Sequence, residues 1–153
     1  MIKIRRSAIV RHTPTQMFDL VNDVEAYPRR FTWCADARVL ARDATSITAR
    51  LDLRLGGLTQ GFTTRNTLDA PRRIEMQLVE GPFLALHGVW SFTALGAKPS
   101  SSGPADSPTG CKIAFALDFD YSGLMSSILQ AGFQKLADRM VDEFCREAER
   151  LYG

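Results

Sequence analysis

The chain has few of the side chains that hold metals or build disulfide frameworks, with 3 cysteines and 2 histidines among 153 residues. Cys34, Cys111 and Cys145 are far apart, and no Cys-x-x-Cys pair occurs. A structural zinc site normally needs four such ligands clustered in sequence, so we expect neither a metal site nor a disulfide scaffold. We interpret the three cysteines as small buried hydrophobic residues.

Long hydrophobic runs are also missing. No apolar stretch reaches the roughly 18 residues of a transmembrane helix. Residues 1–12 are basic and alternating, without the apolar block of a signal peptide, and we therefore expect a cytoplasmic protein. Apolar residues make up 45% of the chain and charged residues 24%, as in ordinary globular proteins. We expect one domain over residues 1–153.

Charge is unevenly distributed along the chain. Residues 1–73 carry 13 Lys and Arg against 7 Asp and Glu, whereas residues 74–153 carry 6 against 10. Such asymmetry fits a polyanion-binding face, and it also fits an ordinary solvated surface. Eight basic residues of the N-terminal half could spread over an outer sheet face: Lys3, Arg5, Arg11, Arg50, Arg54, Arg65, Arg72 and Arg73.

The N-terminal part predicts a strand followed by two short helices. Residues 3–11 are β-branched, basic and roughly alternating. Thr13, the proline after it and Gln16 form a capping box with proline at the first helical position. Asp23 can cap a second short helix running towards Tyr27. The proline that follows Tyr27 disfavours helix there, so we expect the chain to turn.

From Arg38 to Tyr121 hydrophobic residues recur at every second position, which predicts strands with one buried and one solvent-exposed face. Gly56-Gly57 marks a hairpin turn. The segments are joined by turns too short for helical crossovers, so the sheet must be antiparallel. Residues 96–110 break the rhythm and are rich in Gly, Pro and Ser, which predicts a flexible loop between two strands.

Residues 124–152 carry the strongest helical pattern. A one-sided antiparallel sheet must have its apolar face covered, and this helix has the only apolar stripe long enough to do so. The element order predicts an α+β protein: strand, two short helices, six further strands and a long helix. A strongly curved sheet need not close on the helix everywhere, so we expect a cavity between them, with the short helices near its mouth.

Bulky apolar side chains share the inward positions. Such residues suit an adaptable apolar ligand, although the pattern alone favours an ordinary core. Thr64 and Asn66 would be the few polar groups that orient a ligand. The predicted ligand-binding residues are Phe62, Thr64, Asn66, Phe83, Trp90, Phe92, Phe115, Phe119, Leu129, Phe133, Leu136 and Met140, and Phe144 is a further inward aromatic.

No catalytic motif is present: there is no Gly-x-Ser-x-Gly elbow, no Walker loop and no dinucleotide-binding loop after a strand. Asp118 and Asp120 alternate with apolar neighbours, and His87 is out of phase with Leu86, so we expect all three to face solvent. An enzymatic cavity would then depend on Thr64 and Asn66 alone, which is meagre for acid–base chemistry. We expect no catalytic residues.

Four ordered segments carry a family resemblance: residues 20–28 (LVNDVEAYP) with Cys34, residues 62–66 (FTTRN), residues 79–83 (VEGPF), and residues 90–92 (WSF) before 115–119 (FALDF). Together they resemble the coenzyme-Q-binding START-like family of the polyketide cyclase/dehydrase superfamily. The resemblance covers nearly the whole chain. It implies a helix-grip (START/Bet v 1-like) fold, in which a curved antiparallel sheet of about seven strands wraps around a long C-terminal helix.

The resemblance also implies a function. The first interpretation is that the chain binds ubiquinone or a related polyprenyl lipid between sheet and helix without catalysing a reaction, and so supports respiratory electron transport. No cofactor is required, although ubiquinone or another lipid can be bound, and the expected partners include a transient membrane-surface contact but no DNA. The alternative is the family's bacterial ribosome association toxin branch. Such a toxin of a toxin–antitoxin pair binds the large ribosomal subunit and blocks subunit association. A third reading is a cyclase or hydrolase of the wider superfamily.

Overall fold

The computed structural model describes residues 1–96 and 110–153, which form one antiparallel sheet and three α-helices. The strands are β1 (Ile2–Val10), β2 (Cys34–Arg42), β3 (Ser46–Leu55), β4 (Leu58–Asp69), β5 (Arg73–Glu80), β6 (Phe83–Leu95) and β7 (Gly110–Tyr121). The helices are α1 (Pro14–Asn22), α2 (Tyr27–Arg30) and α3 (Ser127–Tyr152), with a 3₁₀ turn at Val24–Ala26. The loop predicted at residues 96–110 lies outside the described residues, apart from its two end glycines.

Strands β2 to β7 form a meander, and β1 lies beside β7, which gives the order β1-β7-β6-β5-β4-β3-β2. Every neighbouring pair is antiparallel, as predicted from the short connections. Gly56 and Gly57 both have positive φ, at 58° and 85°, and they join Leu55 directly to Leu58. Two consecutive positive φ angles are what a two-residue hairpin loop of matching twist requires, so the predicted turn is confirmed.

The segment between β1 and β2 confirms the predicted capping box. The Thr13 side-chain oxygen accepts from the Gln16 amide at 3.1 Å, and the Gln16 side chain accepts from the Thr13 amide at 2.9 Å. The predicted turn at Tyr27 is wrong, because Tyr27 is helical and opens α2. Pro28 lies in the first turn of that helix, where no amide hydrogen is needed for an intrahelical bond.

Helix α3 begins at Ser127, three residues later than the predicted start. The Ser126 side chain accepts from the Leu129 amide at 3.3 Å and so caps the helix. Its 26 residues span about 39 Å. Phe133, Leu136 and Phe144 are buried against the concave face of the sheet. The α+β helix-grip arrangement expected from the sequence is confirmed.

Candidate functional site

A cavity of about 70 Å³ lies between α3 and the concave face of the sheet. Its walls come from the middle of β3 to β7, from α3, and from the helical segment after β1. Nearly all the lining is apolar, because inward positions recur every second residue along each strand. Of the predicted ligand-binding residues, those in the lining are Phe62, Thr64, Asn66, Trp90, Phe115, Phe133, Leu136 and Met140, together with Phe144.

Four predicted residues lie outside the lining. Phe83 and Phe119 pack on Phe133, with ring centroids 4.9 and 5.1 Å away, and so belong to an aromatic cluster. Phe92 contacts Phe18 of α1 edge-on, at 5.8 Å. Leu129 lies in the first turn of α3 and packs on the edge of the core. The structure thus places these four side chains in the core.

The site predictions missed lining residues in three places: the segment between β1 and β2, the strands, and α3. Tyr27 and Trp33 come from the segment between β1 and β2, where no regular hydrophobic period identifies inward positions. Other missed lining residues lie on strands whose alternation already marked their inward face: Ala49, Leu51, Leu53, Ile74, Met76, Leu86 and Leu117. The remaining ones are Val21, Val24 and Ala137. The sequence therefore carried a signal for the strand residues, namely their alternation, but none for Tyr27 and Trp33.

Most polar groups of the cavity bond to one another. The Thr64 hydroxyl donates to the Asn66 side-chain oxygen at 2.9 Å. The Tyr27 hydroxyl donates to the Val21 carbonyl, and burial, with smaller contributions from Cys34 and Asp23, raises the pKa of Tyr27. By contrast, the indole nitrogen of Trp33 is buried and has no hydrogen-bond partner among the described residues.

The lining holds no acid–base pair. Among the described residues that line the cavity, only Tyr27 is titratable, and the raised pKa of Tyr27 keeps its hydroxyl neutral. A general acid–base dyad needs two titratable groups converging on a substrate. The observed arrangement can enclose an apolar group.

The polar residues considered for catalysis face away from the cavity, as predicted. His87 is exposed, and its Nε2 lies 3.3 Å from the Glu75 carboxylate. Asp118 forms an ion pair with Arg5 at 2.9 Å, and Asp120 lies 3.4 Å from the N-terminal ammonium group. These groups belong to the solvent-exposed outer face of the sheet.

The cysteines are not activated for nucleophilic chemistry. Cys34 and Cys111 are buried, Cys145 is half-buried, and all three are free thiols. Burial is the main cause that raises the pKa of Cys34 to about 11 and that of Cys145 to about 11, and it also raises the pKa of Cys111. A raised thiol pKa keeps sulfur protonated at neutral pH, and the thiolate is the reactive form.

Half of the eight basic residues predicted for the outer sheet face are neutralised by carboxylates. Arg5 pairs with Asp118, and the other pairs have partners close in sequence: Arg50 with Asp52 at 3.2 Å, Arg72 with Asp69 at 3.0 Å and Arg73 with Glu75 at 3.0 Å. Within the described residues, Lys3, Arg11, Arg54 and Arg65 make no ion pair. In that part of the chain, the predicted basic residues are therefore divided equally between neutralised and unpaired cations.

The polyketide cyclase/dehydrase and lipid transport family model matches residues 10–145, nearly the whole chain. The chain belongs to this family. The chain is 44% identical to the ribosome association toxin RatA of Pseudomonas aeruginosa, over 98% of this chain and 97% of that protein. It is 37% identical to the RatA of Escherichia coli, over 100% of this chain and 90% of that protein.

A more distant relative bears a different name. The coenzyme Q-binding protein COQ10 homolog B of Xenopus laevis is 25% identical, over 99% of this chain and 60% of that protein. Solved structures agree on the fold. A START superfamily protein from Mycobacterium smegmatis matches with a TM-score of 0.76 at 19% identity, covering 97% of this chain and 98% of its own. The Zhui aromatase/cyclase from Streptomyces matches with a TM-score of 0.75 at 17% identity, covering 97% and 94%.

No helix in the described ranges is both long and apolar enough to cross a membrane.

Proposed function

We propose that this protein binds the large ribosomal subunit and prevents its association with the small subunit, as the toxin of a toxin–antitoxin pair and without catalysing a reaction. The observation that carries this proposal is the 44% identity to a ribosome association toxin over almost the full length of both chains. The absence of an acid–base pair from the cavity lining in the described residues supports a binding role rather than catalysis.

The relatives favour this alternative over quinone binding, the first reading of the sequence. The relatives at 44% and 37% identity share the toxin name, whereas the coenzyme Q-binding relative is 25% identical. The volume of the cavity also favours the toxin over a quinone-binding protein. Its volume of about 70 Å³ is well below the roughly 300–1,000 Å³ of typical small-molecule pockets.

Ribosome sedimentation tests the proposal. Purified subunits are incubated with an excess of the protein under conditions that favour association, and the mixture is separated on a sucrose gradient. We expect the peak of coupled ribosomes to shrink, the free subunits to increase, and the protein to sediment with the large subunit. A protein of similar size and isoelectric point controls for nonspecific binding to RNA. An unchanged peak of coupled ribosomes at tenfold molar excess contradicts the proposal.

A second function is supported by the cavity itself: the binding of a hydrophobic ligand, with ubiquinone or another polyprenyl lipid as the class. The lining is apolar, and the buried indole N–H of Trp33, which has no partner among the described residues, would donate to a quinone carbonyl once the cavity widens to reach it. Entry of a quinone ring requires the cavity to widen. Met76 and Met140 lie in its wall, and methionine side chains adapt to such changes more readily than branched ones.

The ligand proposal has its own test. Protein purified from its native host is extracted with organic solvent, and the extract is analysed by mass spectrometry for quinones and other lipids. A parallel sample of the purified protein is mixed with ubiquinone, and Trp fluorescence is followed as the ligand is added. A quinone in the extract or saturable quenching supports the proposal. An extract without quinone or lipid, together with no uptake of added quinone, contradicts it.

A further inference from the structure

A second concavity opens on the surface where α3 crosses the end of β3. Its volume is about 350 Å³. Arg54, Lys135 and Arg139 line it, and apolar contacts from Trp33 and Ile128 complete its walls. We call this concavity the basic groove. It shares only Trp33 and Leu136 with the lining of the internal cavity.

Close packing of helix and strand fixes the shape of the basic groove. A Cβ atom placed on Gly132 would lie 2.9 Å from the Leu55 Cβ and 3.1 Å from its backbone, so α3 and β3 approach to backbone contact here. Lys135 follows Gly132 by about one turn, and Arg139 follows Lys135 by one more. Both cations are therefore held on the same side of a helix that is anchored to the sheet.

The charges of the basic groove are not balanced within it. Arg54 is held by its own backbone surroundings, since its Nη1 donates to the Thr32 carbonyl at 2.9 Å and to the Cys34 carbonyl at 3.3 Å. Carbonyl partners orient a guanidinium without neutralising it. Among the described residues that line the groove there is no carboxylate.

The nearest carboxylates in sequence are engaged elsewhere. Asp52 precedes Arg54 by two residues, but it pairs with Arg50 at 3.2 Å. Asp138 lies between the two helix cations, but it pairs with Arg6 at 2.8 Å. The groove thus differs from the part of the outer sheet face where Arg50, Arg72 and Arg73 face carboxylates at ion-pair distance. Among the described residues, the groove therefore gathers unpaired positive charge in one concavity, whereas Lys3, Arg11 and Arg65, the other unpaired cations of the predicted basic face, lie outside it.

The shape of the groove selects among anionic partners. Three cations that converge in a concavity can surround a protruding chain of phosphates, whereas a flat bilayer surface reaches mainly the parts of a protein that project. Arginine and lysine side chains are the usual contacts to phosphates of nucleic acids. Resting on the proposed ribosome function, we propose that the basic groove binds the sugar–phosphate backbone of ribosomal RNA on the large subunit.

Counterion release sets the size of the expected effect. Each phosphate contact makes the slope of log K against log salt steeper by about 0.7–0.9. Loss of the contacts made by Lys135 and Arg139 should therefore make that slope shallower by about 1.5. By the same relation, the affinity for the large subunit should fall about 20-fold near 0.15 M salt.

The test measures binding of the full-length protein to purified large subunits over a series of KCl concentrations. The variant K135Q/R139Q removes two groove cations, and both residues are exposed, so the fold should be kept. The matched control R50Q/R73Q removes two cations that are already paired on the outer sheet face. The variant K135R/R139K keeps both charges and should bind as the wild-type protein does.

We expect weaker binding and a shallower slope for K135Q/R139Q alone, with the control within about twofold of wild type. Equal losses in K135Q/R139Q and R50Q/R73Q, or no loss in either, overturn the groove proposal. So does selective loss of binding to phosphatidylglycerol-containing vesicles while subunit binding stays unchanged, since that outcome assigns the groove to a membrane. Failure of the proposed function is distinct, because the wild-type protein then fails to bind subunits even at the lowest salt.

Discussion

Replacing Ala49 by valine should stabilise the protein by about 1 kcal/mol, because the new carbons enter the space beneath α3. Ala49 is 2% exposed and lies in the cavity lining on β3. Two additional buried carbons contribute up to about 1.6 kcal/mol, at about 0.8 kcal/mol each. An unfilled volume of about 70 Å³ costs a similar amount at about 24 cal/mol per Å³. Contacts that are too tight for the branched side chain offset part of this gain.

The free energy of unfolding is measured by equilibrium urea titration, with Trp fluorescence as the signal. Ala116→Val is the matched control, because Ala116 lies on the outer face of β7 and the substitution changes strand preference without entering the cavity. A gain of about 1 kcal/mol over this control corresponds to a Tm increase of about 2–4 °C. A loss of about 1 kcal/mol or more relative to the control would refute the reasoning, since it would mean that Ala49 borders no usable space.

The same variant separates the two functions. Ala49 is buried, so its substitution should leave binding to ribosomal subunits unchanged. Uptake of a polyprenyl quinone should fall, because the cavity has lost volume and can widen less. Unchanged quinone uptake would place the ligand elsewhere on the protein.

Three further predictions concern packing and thiol chemistry. Gly132→Ala should lower the free energy of unfolding by about 1–3 kcal/mol, because its Cβ would collide with Leu55. The control Gly123→Ala, whose Cβ would have nothing within 4 Å, should change it by less than about 0.5 kcal/mol. Similar losses for the two variants in urea titrations would contradict the close contact. Phe144→Ala should cost about 3–5 kcal/mol in the same assay, and a cost under about 1 kcal/mol would contradict the packing around that ring. Burial raises the pKa of Cys145 from 9.0 to about 11, so its thiolate fraction and its rate of alkylation by iodoacetamide should still rise about tenfold between pH 9 and pH 10. A rate that is half-maximal near pH 9 and levels off above about pH 10 would show an ordinary thiol.

The fold was predictable because its signals are local and strong. The Thr13 capping box sets where α1 begins, and Gly56-Gly57 supplies two positive φ angles for a hairpin. Period-2 alternation along the strands then assigns one face of each strand to the core. The error at Tyr27 has a local cause as well, since proline is tolerated in the first turn of a helix even though it disfavours helix in the residue before it.

The candidate sites were predictable only in part. Strand alternation assigns Phe62 and Asn66 to the cavity, but Trp33 reaches it from a turn that has no period. Alternation also puts Arg50 beside Asp52 on one strand face, so the neutralised part of the outer surface had a signal in the sequence. The basic groove had none. It forms only when Lys135 on α3 is brought to the end of β3, more than 75 residues earlier in the chain.

An order-of-addition experiment tests the central claim most directly. Association of ribosomal subunits is followed by light scattering after the protein has been incubated first with either the large or the small subunit. If the protein acts by binding the large subunit, preincubation with that subunit suppresses the scattering increase at about one protein per particle. Preincubation with the small subunit is then less effective. An undiminished scattering increase in both orders, at saturating protein and low salt, would contradict the claim.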